Sequence, residues 1–511
     1  MNMHRLHHLC KAAAALLLAL LLTVGGALPC FAAGAEATLP HVDIRGFMNA
    51  VIYADRNDPT SDQLWPLDVK RILDAAGQCV PSLMRFALNK DYDKLTESIV
   101  PYVNELFRPL MCGEDGEPLV AGSGAYLYYP TYDEVLANPR LDFTYDWRLD
   151  PYVSAARLND YVTYLTETLG FGQVVMECHS NGGVVMLTYL SVYGAEKVRS
   201  VCFSASAIYG AGFAGELVKG NLLIDAGGLS EYLLSAFDNN ERAALLTGLM
   251  KVLDRAGIVA SVTDFANDLI ANSHDFLYKK SVLPIFGNWL NIWAMVPDDE
   301  IEAGKDYVFG RLLADEETDY TAFLERVDAF TADFRLQREA HLRAVNEACS
   351  VYVFCFYGYT GIPITRDWAV MSDGVLMSKD SSFGAAFHQA GSLERFEPGP
   401  YVSPDGKVNG AAALFPDQTW YFKHCRHSLQ HPDLDKMAET LLYADGQATV
   451  DTFEDYPQFL IFNRITRTIQ PDDGSELAPL TFLQRIAAFF RDLWARLLAV
   501  FQPTGGHSIR L

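Results

Sequence analysis

The stretch Gly172-Gln-Val-Val-Met-Glu-Cys178-His179-Ser180-Asn181-Gly182-Gly183-Val-Val-Met-Leu187 decides how the chain is read. A short, β-branched apolar run reads as a buried strand, and it passes through a single serine into an apolar run with helical spacing. A strand that turns this sharply into a helix strains the backbone at the corner and lifts the corner side chain clear of the sheet. The crowding there calls for small residues two before and two after the corner. Cys178 and Gly182 occupy those positions, and Gly183 gives further room for the helix to pack closely. Ser180 is therefore the candidate nucleophile, although Cys178 departs from the usual glycine.

Outward from this corner, Leu127–Tyr129, Val201–Phe203 and Val351–Tyr357 read as further buried strands, and Ser154–Leu169 and Gly182–Tyr193 as helices. Strand alternating with helix implies an α/β fold with a mostly parallel sheet flanked by helices. From about Tyr209 strand signals fade. Helical patterns run over Leu229–Phe237, Arg242–Ala256, Val262–Ile270 and Tyr320–Ala348. Strands return at Val351, so residues 209–348 read as a helical cap inserted between two parts of one core, 38–208 and 349–466. No internal repeat appears.

Of 511 residues, 50% are hydrophobic and 20% charged, the composition of a globular protein. Lys and Arg total 40 against 64 Asp and Glu, a net charge of −24, with no basic run, which argues against nucleic acid as a partner. Arg5 and Lys11, the unbroken Ala/Leu run Ala12–Leu22 and the small residues up to Ala35 read as a secretory signal peptide over 1–35, so a secreted or extracytoplasmic location is expected. Its removal leaves seven of nine cysteines, without a CxxC pair or regular spacing. That pattern excludes a zinc knuckle or a small disulfide scaffold, leaves one bridge open, and guarantees a free thiol.

Acyl transfer at such a corner needs two backbone N–H groups to hold the oxyanion, one from the residue after the serine and one from a glycine-containing loop near the start of the sheet. Asn181 is the first. In Asp43-Ile44-Arg45-Gly46-Phe47-Met48-Asn49 the second is Phe47, with Met48 as the alternative.

Tyr145-Asp146-Trp147-Arg148, about thirty residues before the serine, resembles the Tyr-Asp-Trp-Arg signature of the lecithin:cholesterol acyltransferase-like lipase family of α/β-hydrolases. Gly46 to Tyr53 with Leu64-Trp65-Pro66 is similar to that family's oxyanion loop and the segment after it. Ser204 to Gly210, on to Lys219-Gly220, resembles its next region without the customary proline. The resemblance spans His41 to Leu460, with the insertion matching only loosely, as at Trp289–Pro297. It implies an α/β-hydrolase fold with a catalytic acid and histidine after the insertion. Ser372-Asp373-Gly374-Val375 is similar to the family's acid motif, which makes Asp373 the acid and Asp367 the fallback; the same residues also read as a hairpin with an Asp-Gly turn. Beyond a last strand at Gln418–Lys423 stand His424, His427 and His431. His427, in the loop before a helix starting near Pro432, is the chosen base, with His424 at the strand's end and His431 at the helix cap as the others. His179 points away from the serine oxygen and is read as packing or a hydrogen bond. Residues 145–148 are read as bracing the sheet, Asp146 and Arg148 as a partly buried pair.

This constellation implies an acyl-enzyme on Ser180 with His427 as base and Asp373 orienting it, acting on a lipid ester with no cofactor and no metal. Water as second nucleophile makes it a hydrolase, a lipid alcohol an acyltransferase. A non-catalytic lipid- or surface-binding protein on the same fold is the alternative. Finally, residues 467–511 read as a linker and an amphipathic helix, Leu480–Phe501, whose Phe482, Phe489, Trp494 and Phe501 oppose Arg485, Arg491 and Arg496, a pattern suited to a membrane surface.

Overall fold

The computed structural model describes residues 39–236, 255–365, 368–463 and 466–474. The stretch expected to be a signal peptide, the expected terminal amphipathic segment, nearly all of the helix expected over 242–256, and Asp367 lie outside the described residues. Eight strands form the central sheet: β1 (His41–Ile44), β2 (Arg140–Phe143), β3 (Val174–Ser180), β4 (Val198–Ser206), β5 (Ser350–Tyr357), β6 (Thr419–Lys423), β7 (Phe459–Asn463) and β8 (Thr468–Pro471). Their order across the sheet is β2-β1-β3-β4-β5-β6-β7-β8. The first seven run parallel and β8 is antiparallel. Parallel neighbours need crossovers, and helices Pro151–Thr163, Gly182–Tyr193, Arg338–Ala348 and Pro432–Leu442 provide them. Both faces are covered: Val174, Met176, Phe203 and Val353 pack on one side, Val175, Cys202 and Phe354 on the other. Burial of both faces is why these strands read as continuous apolar runs.

Between β4 and β5 the described elements are all helical, among them Ile258–Leu277 and Thr321–Phe330. The single helix expected over Tyr320–Ala348 is two, Thr321–Phe330 and Arg338–Ala348, joined through a π-type turn, Thr331–Arg335. The break coincides with Arg335, whose buried guanidinium donates to the carbonyls of Trp293 and Val296. A second helical layer arises where the sequence reading placed only core. Helices Val69–Asn89 and Tyr92–Phe107 form a hairpin between β1 and β2, capped by Asp68 and Asp91. Phe86 packs edge-on against Tyr92 and Phe265 with centroids 4.7 and 5.6 Å away, fastening the hairpin to helix Ile258–Leu277.

Two strand boundaries differ from expectation. Leu127–Tyr129 is no strand; only Gly124–Ala125 pairs, with Ile52–Tyr53. Only Leu127 of the three is buried, Tyr128 and Tyr129 being exposed, and without a partner edge an apolar run forms no ladder. Thr468–Pro471, expected to begin the linker, closes the sheet as its antiparallel edge.

Candidate active site

The site is built where β1, β3, β5 and β6 end. β3 stops at Ser180 and the next helix begins at Gly182. Ser180 has φ = 57°, a left-handed conformation costly for a residue with a Cβ. Neighbouring glycines make that conformation fit. A Cβ on Gly182 would collide with the carbonyl oxygen of Ile44 and lie 2.8 Å from that of Arg45, so the start of the helix presses on the end of β1. A Cβ on Gly183 would collide with Ser206 Oγ and come within 3.3 Å of Cys178 Sγ. That space is what admits cysteine at 178.

The loop after β1 lies against the serine. A Cβ on Gly46 would lie 2.7 Å from Ser180 Cβ. Gly46 to Asn49 form a turn closed by Asn49 N–H donating to the Gly46 carbonyl at 3.3 Å, with Met48 at φ = 60°. Among the described residues, no protein acceptor takes the N–H of Phe47, Met48 or Asn181. Three other carbonyls of this segment are taken by aromatic side chains. Tyr145 Oη donates to Arg45 O at 3.0 Å, Trp65 Nε1 to Met48 O at 2.8 Å, and Trp147 Nε1 to Ala50 O at 3.0 Å. Trp147 also stands edge-on to Phe47 and to Trp289 of the helical insertion, with centroids 5.3 and 5.2 Å away. Tyr145 and Trp147 thus hold this loop rather than bracing the sheet. Asp146 and Arg148, expected as a partly buried pair, are fully buried and doubly bonded, Nε to Oδ1 at 2.9 Å and NH2 to Oδ2 at 2.6 Å.

Asp373 and His427 are brought together. Asp373 is fully buried; its Oδ1 accepts from the N–H groups of Val375 and Leu376, both at 2.8 Å, and its Oδ2 lies 2.7 Å from His427 Nδ1. His427 N–H also donates to the Asp373 carbonyl at 2.8 Å. The Asp-Gly turn and the acid prove to be one object: Asp373 N–H donates to Leu376 O across Gly374, whose φ is 97°. Arg426 lies over that turn, and a Cβ on Gly374 would be 2.8 Å from its guanidinium. The carboxylate assigns the proton to His427 Nδ1, leaving Nε2 free to accept.

His179 ties this pair to the serine corner. Its Nε2 donates to the His427 carbonyl at 2.6 Å, and the two rings lie 4.6 Å apart. Burial, and after it the neighbouring His427, push His179 down to about 3, so it is neutral. Of the other two histidines, His424 is held through its backbone and His431 through its ring. His424, just past β6 at φ = 60°, donates its N–H to Tyr357 O at 2.8 Å. His431 caps helix Pro432–Leu442, Nδ1 accepting from Asp433 N–H at 3.2 Å.

Three residues upstream of Gly46 and of Ser180, the carboxylates of Asp43 and Glu177 face each other across β1 and β3. Arg140 of β2 bridges them at 2.9 and 3.1 Å and reaches Asp435 at 3.0 Å. Among the described residues no group of three or more His, Cys, Asp or Glu is gathered to hold a metal ion. The seven described cysteines are unpaired, and the one bridge left open by the sequence does not form among them. Burial pushes Cys112 and Cys349 up to about 12, so these thiols act as small hydrophobes.

The arrangement is that of an α/β protein with a mostly parallel eight-stranded sheet whose strand ends converge on a strained serine and a carboxylate–histidine pair. No protein-family model and no curated protein matches the chain. Among solved structures, a chain of one described as the crystal structure of the Tle4-Tli4 complex aligns with 16% identity and a TM-score of 0.19. The alignment covers 36% of this chain and 48% of that one, about half its length. A likeness this slight carries nothing for the chemistry.

Proposed function

We propose that the protein is a serine hydrolase of the α/β-hydrolase fold that cleaves carboxylic esters of lipids through an acyl-enzyme. The observation that carries the reading is the Asp373–His427 pair, 2.7 Å apart and tethered through His179 to the turn that bears Ser180. Chain order agrees, with the serine after β3, the acid after β5 and the histidine after β6. In this reading His427 Nε2 takes the Ser180 proton as Oγ adds to the ester carbonyl. Asp373 stabilises the imidazolium, and the oxyanion is held by Asn181 N–H and by Phe47 N–H, with Met48 as the alternative donor. The imidazolium returns its proton to the leaving alcohol. Water, activated by the same histidine, then releases the acid; a lipid alcohol in its place makes the enzyme an acyltransferase.

A lipid surface as the place of action is favoured by helix Val69–Asn89. Val69, Leu73, Val80, Met84 and Leu88 are exposed along one side, and the helix carries Lys70, Arg71 and Arg85 against Asp74 in a chain of net charge −24. An apolar stripe bordered by cations fits an anionic lipid interface. The leader-like 1–35 supports a location outside the cytoplasm, the helices of 209–348 would serve as the cap, and the amphipathic segment Leu480–Phe501 would add a second surface contact. Among the described residues no helix is long and apolar enough to cross a membrane.

The test is product analysis by mass spectrometry after incubation with mixed phospholipids, glycerides and a sterol. Free fatty acids indicate hydrolysis and steryl esters indicate transfer, either one absent with Ser180→Ala. The same products from the alanine variant would remove the reading.

A further inference from the structure

The two halves of the proposed oxyanion hole come from segments far apart in the chain, the loop after β1 and the corner after β3. Each has to be held within a few tenths of an ångström for its N–H to meet a developing charge. One hydroxyl touches both. Tyr145 Oη donates to the carbonyl of Arg45, the residue before Gly46, at 3.0 Å, and accepts from Nδ2 of Asn181, the residue after the serine, also at 3.0 Å.

A phenol has one hydrogen. Committed to Arg45 O, it leaves only lone pairs for Asn181, so the buried amide must present its NH2, and its orientation is fixed from outside. Tyr145 is 2% exposed, and burial pushes its ionisation up, so it keeps that hydrogen. The Arg45 carbonyl is also held from the other side, where the backbone of Gly182 lies against it so closely that a Cβ would sit 2.8 Å away. Two further carbonyls of the loop, those of Met48 and Ala50, are gripped by Trp65 and Trp147. With the Arg45, Met48 and Ala50 carbonyls all bonded to aromatic donors and the Asn49 N–H closing the turn on Gly46 O, the N–H groups of Phe47 and Met48 are left over for a ligand.

We infer that Tyr145 is a positioning residue for the oxyanion hole, its hydroxyl setting the separation between the Asn181 N–H and the donor of the Gly46 loop. The inference rests on the serine-hydrolase reading. It places the Tyr145 hydroxyl in a transition-state role without contact to substrate, so its removal acts on turnover and not on substrate affinity.

The experiment compares wild type with Tyr145→Phe, Asn181→Ala and the double variant. It measures kcat and KM on a short-chain p-nitrophenyl ester, inhibition by an alkyl boronic acid that becomes a tetrahedral anion on the serine, and the rate of fluorophosphonate labelling. Asn181→Ala keeps the backbone N–H while cutting the link from the other side, so it stands in if Tyr145→Phe folds poorly. The expected result is a fall of about 10- to 100-fold in kcat and in labelling rate for each single variant, less than the loss of an oxyanion donor itself. KM stays within about twofold, boronate affinity weakens by the same factor as kcat, and the double variant is no worse than the poorer single one. Wild-type kcat in a folded Tyr145→Phe, an effect on KM alone, or additive losses in the double variant would overturn the inference. If Ser180→Ala keeps wild-type turnover, the serine-hydrolase reading fails first. Turnover that needs Ser180 and ignores Tyr145 removes only the positioning role.

Discussion

Ser180 carries no nucleophilicity of its own at neutral pH, so its reactivity has to come from groups that meet it in space. In the proposed reading His427 and Asp373 are those groups, and because three residues acting as one unit are coupled, their losses should not add. Ser180→Ala is expected to lower hydrolysis of a p-nitrophenyl ester by at least about 10⁴-fold while the protein stays folded. His427→Ala should match it, Asp373→Asn should cost somewhat less, and His424→Ala and His431→Ala should be mild. An inactive His424 variant beside an active His427 variant would reassign the base. His179 makes a different prediction, on stability. Its folded value near 3 lies below the ordinary 6.5, so the folded state binds fewer protons than the unfolded one between those values. The contribution is complete above pH 6.5 and is lost as pH falls toward 3, at no more than about 1.4 kcal/mol per pH unit. His427, Asp373 and Arg45 all bear on this ring. Thermal unfolding followed against pH should show a flatter acid limb for His179→Gln than for wild type, and an unchanged limb would contradict a buried neutral His179.

Elements meet at this site through glycines, and Gly182, set beside Gly77 of helix Val69–Asn89 outside the site, separates close approach from mere flexibility. Gly182→Ala pushes a Cβ into the Ile44 carbonyl and should cost more than about 3 kcal/mol, read as a large fall in Tm or loss of soluble protein. Gly77→Ala, in helix Val69–Asn89 with nothing within 4 Å of the added carbon, should stabilise by up to about 1 kcal/mol. Equal effects at the two positions would undo the packing argument. The same contrast explains what was legible in the sequence. The strand–serine–helix corner is written in local pattern, so β3, its helix and the position of Ser180 are legible directly, and so is β6 before its histidines, although β6 is not the last strand as expected, since β7 and β8 follow it. The proposed acid is suggested only by family resemblance, since nothing within Ser372–Val375 says which histidine it faces, whereas the proposed second oxyanion donor follows from a glycine-containing loop near the start of the sheet. Roles that depend on distant partners left less trace. Trp65 and Trp147 grip loop carbonyls because a buried indole must place its N–H, a rule that names no acceptor. The hairpin Val69–Phe107 leaves little trace although Asp68 and Asp91 cap it, and the short aromatic run Leu127–Tyr129, bounded by proline, looks like a strand while nothing in it tells whether an edge is there to pair with.

The whole molecule joins an acidic chain to a helical layer with an exposed apolar stripe, and the surface reading has its own check. Replacing Leu73 and Leu88 with Glu should lower flotation with anionic phospholipid vesicles by more than about tenfold and leave hydrolysis of a soluble ester unchanged. Unaltered flotation would move the surface contact elsewhere on the chain. The central claim is that the strained serine is activated by the pair held beside it, and active-site labelling reaches that claim without knowledge of the substrate. Full-length protein is treated with a fluorophosphonate, digested, and the modified residue located by mass spectrometry. The account expects one modified residue, Ser180, with labelling absent in Ser180→Ala and slowed at least about 10³-fold in His427→Ala. Labelling that persists in Ser180→Ala, or none in folded wild-type protein, would contradict it.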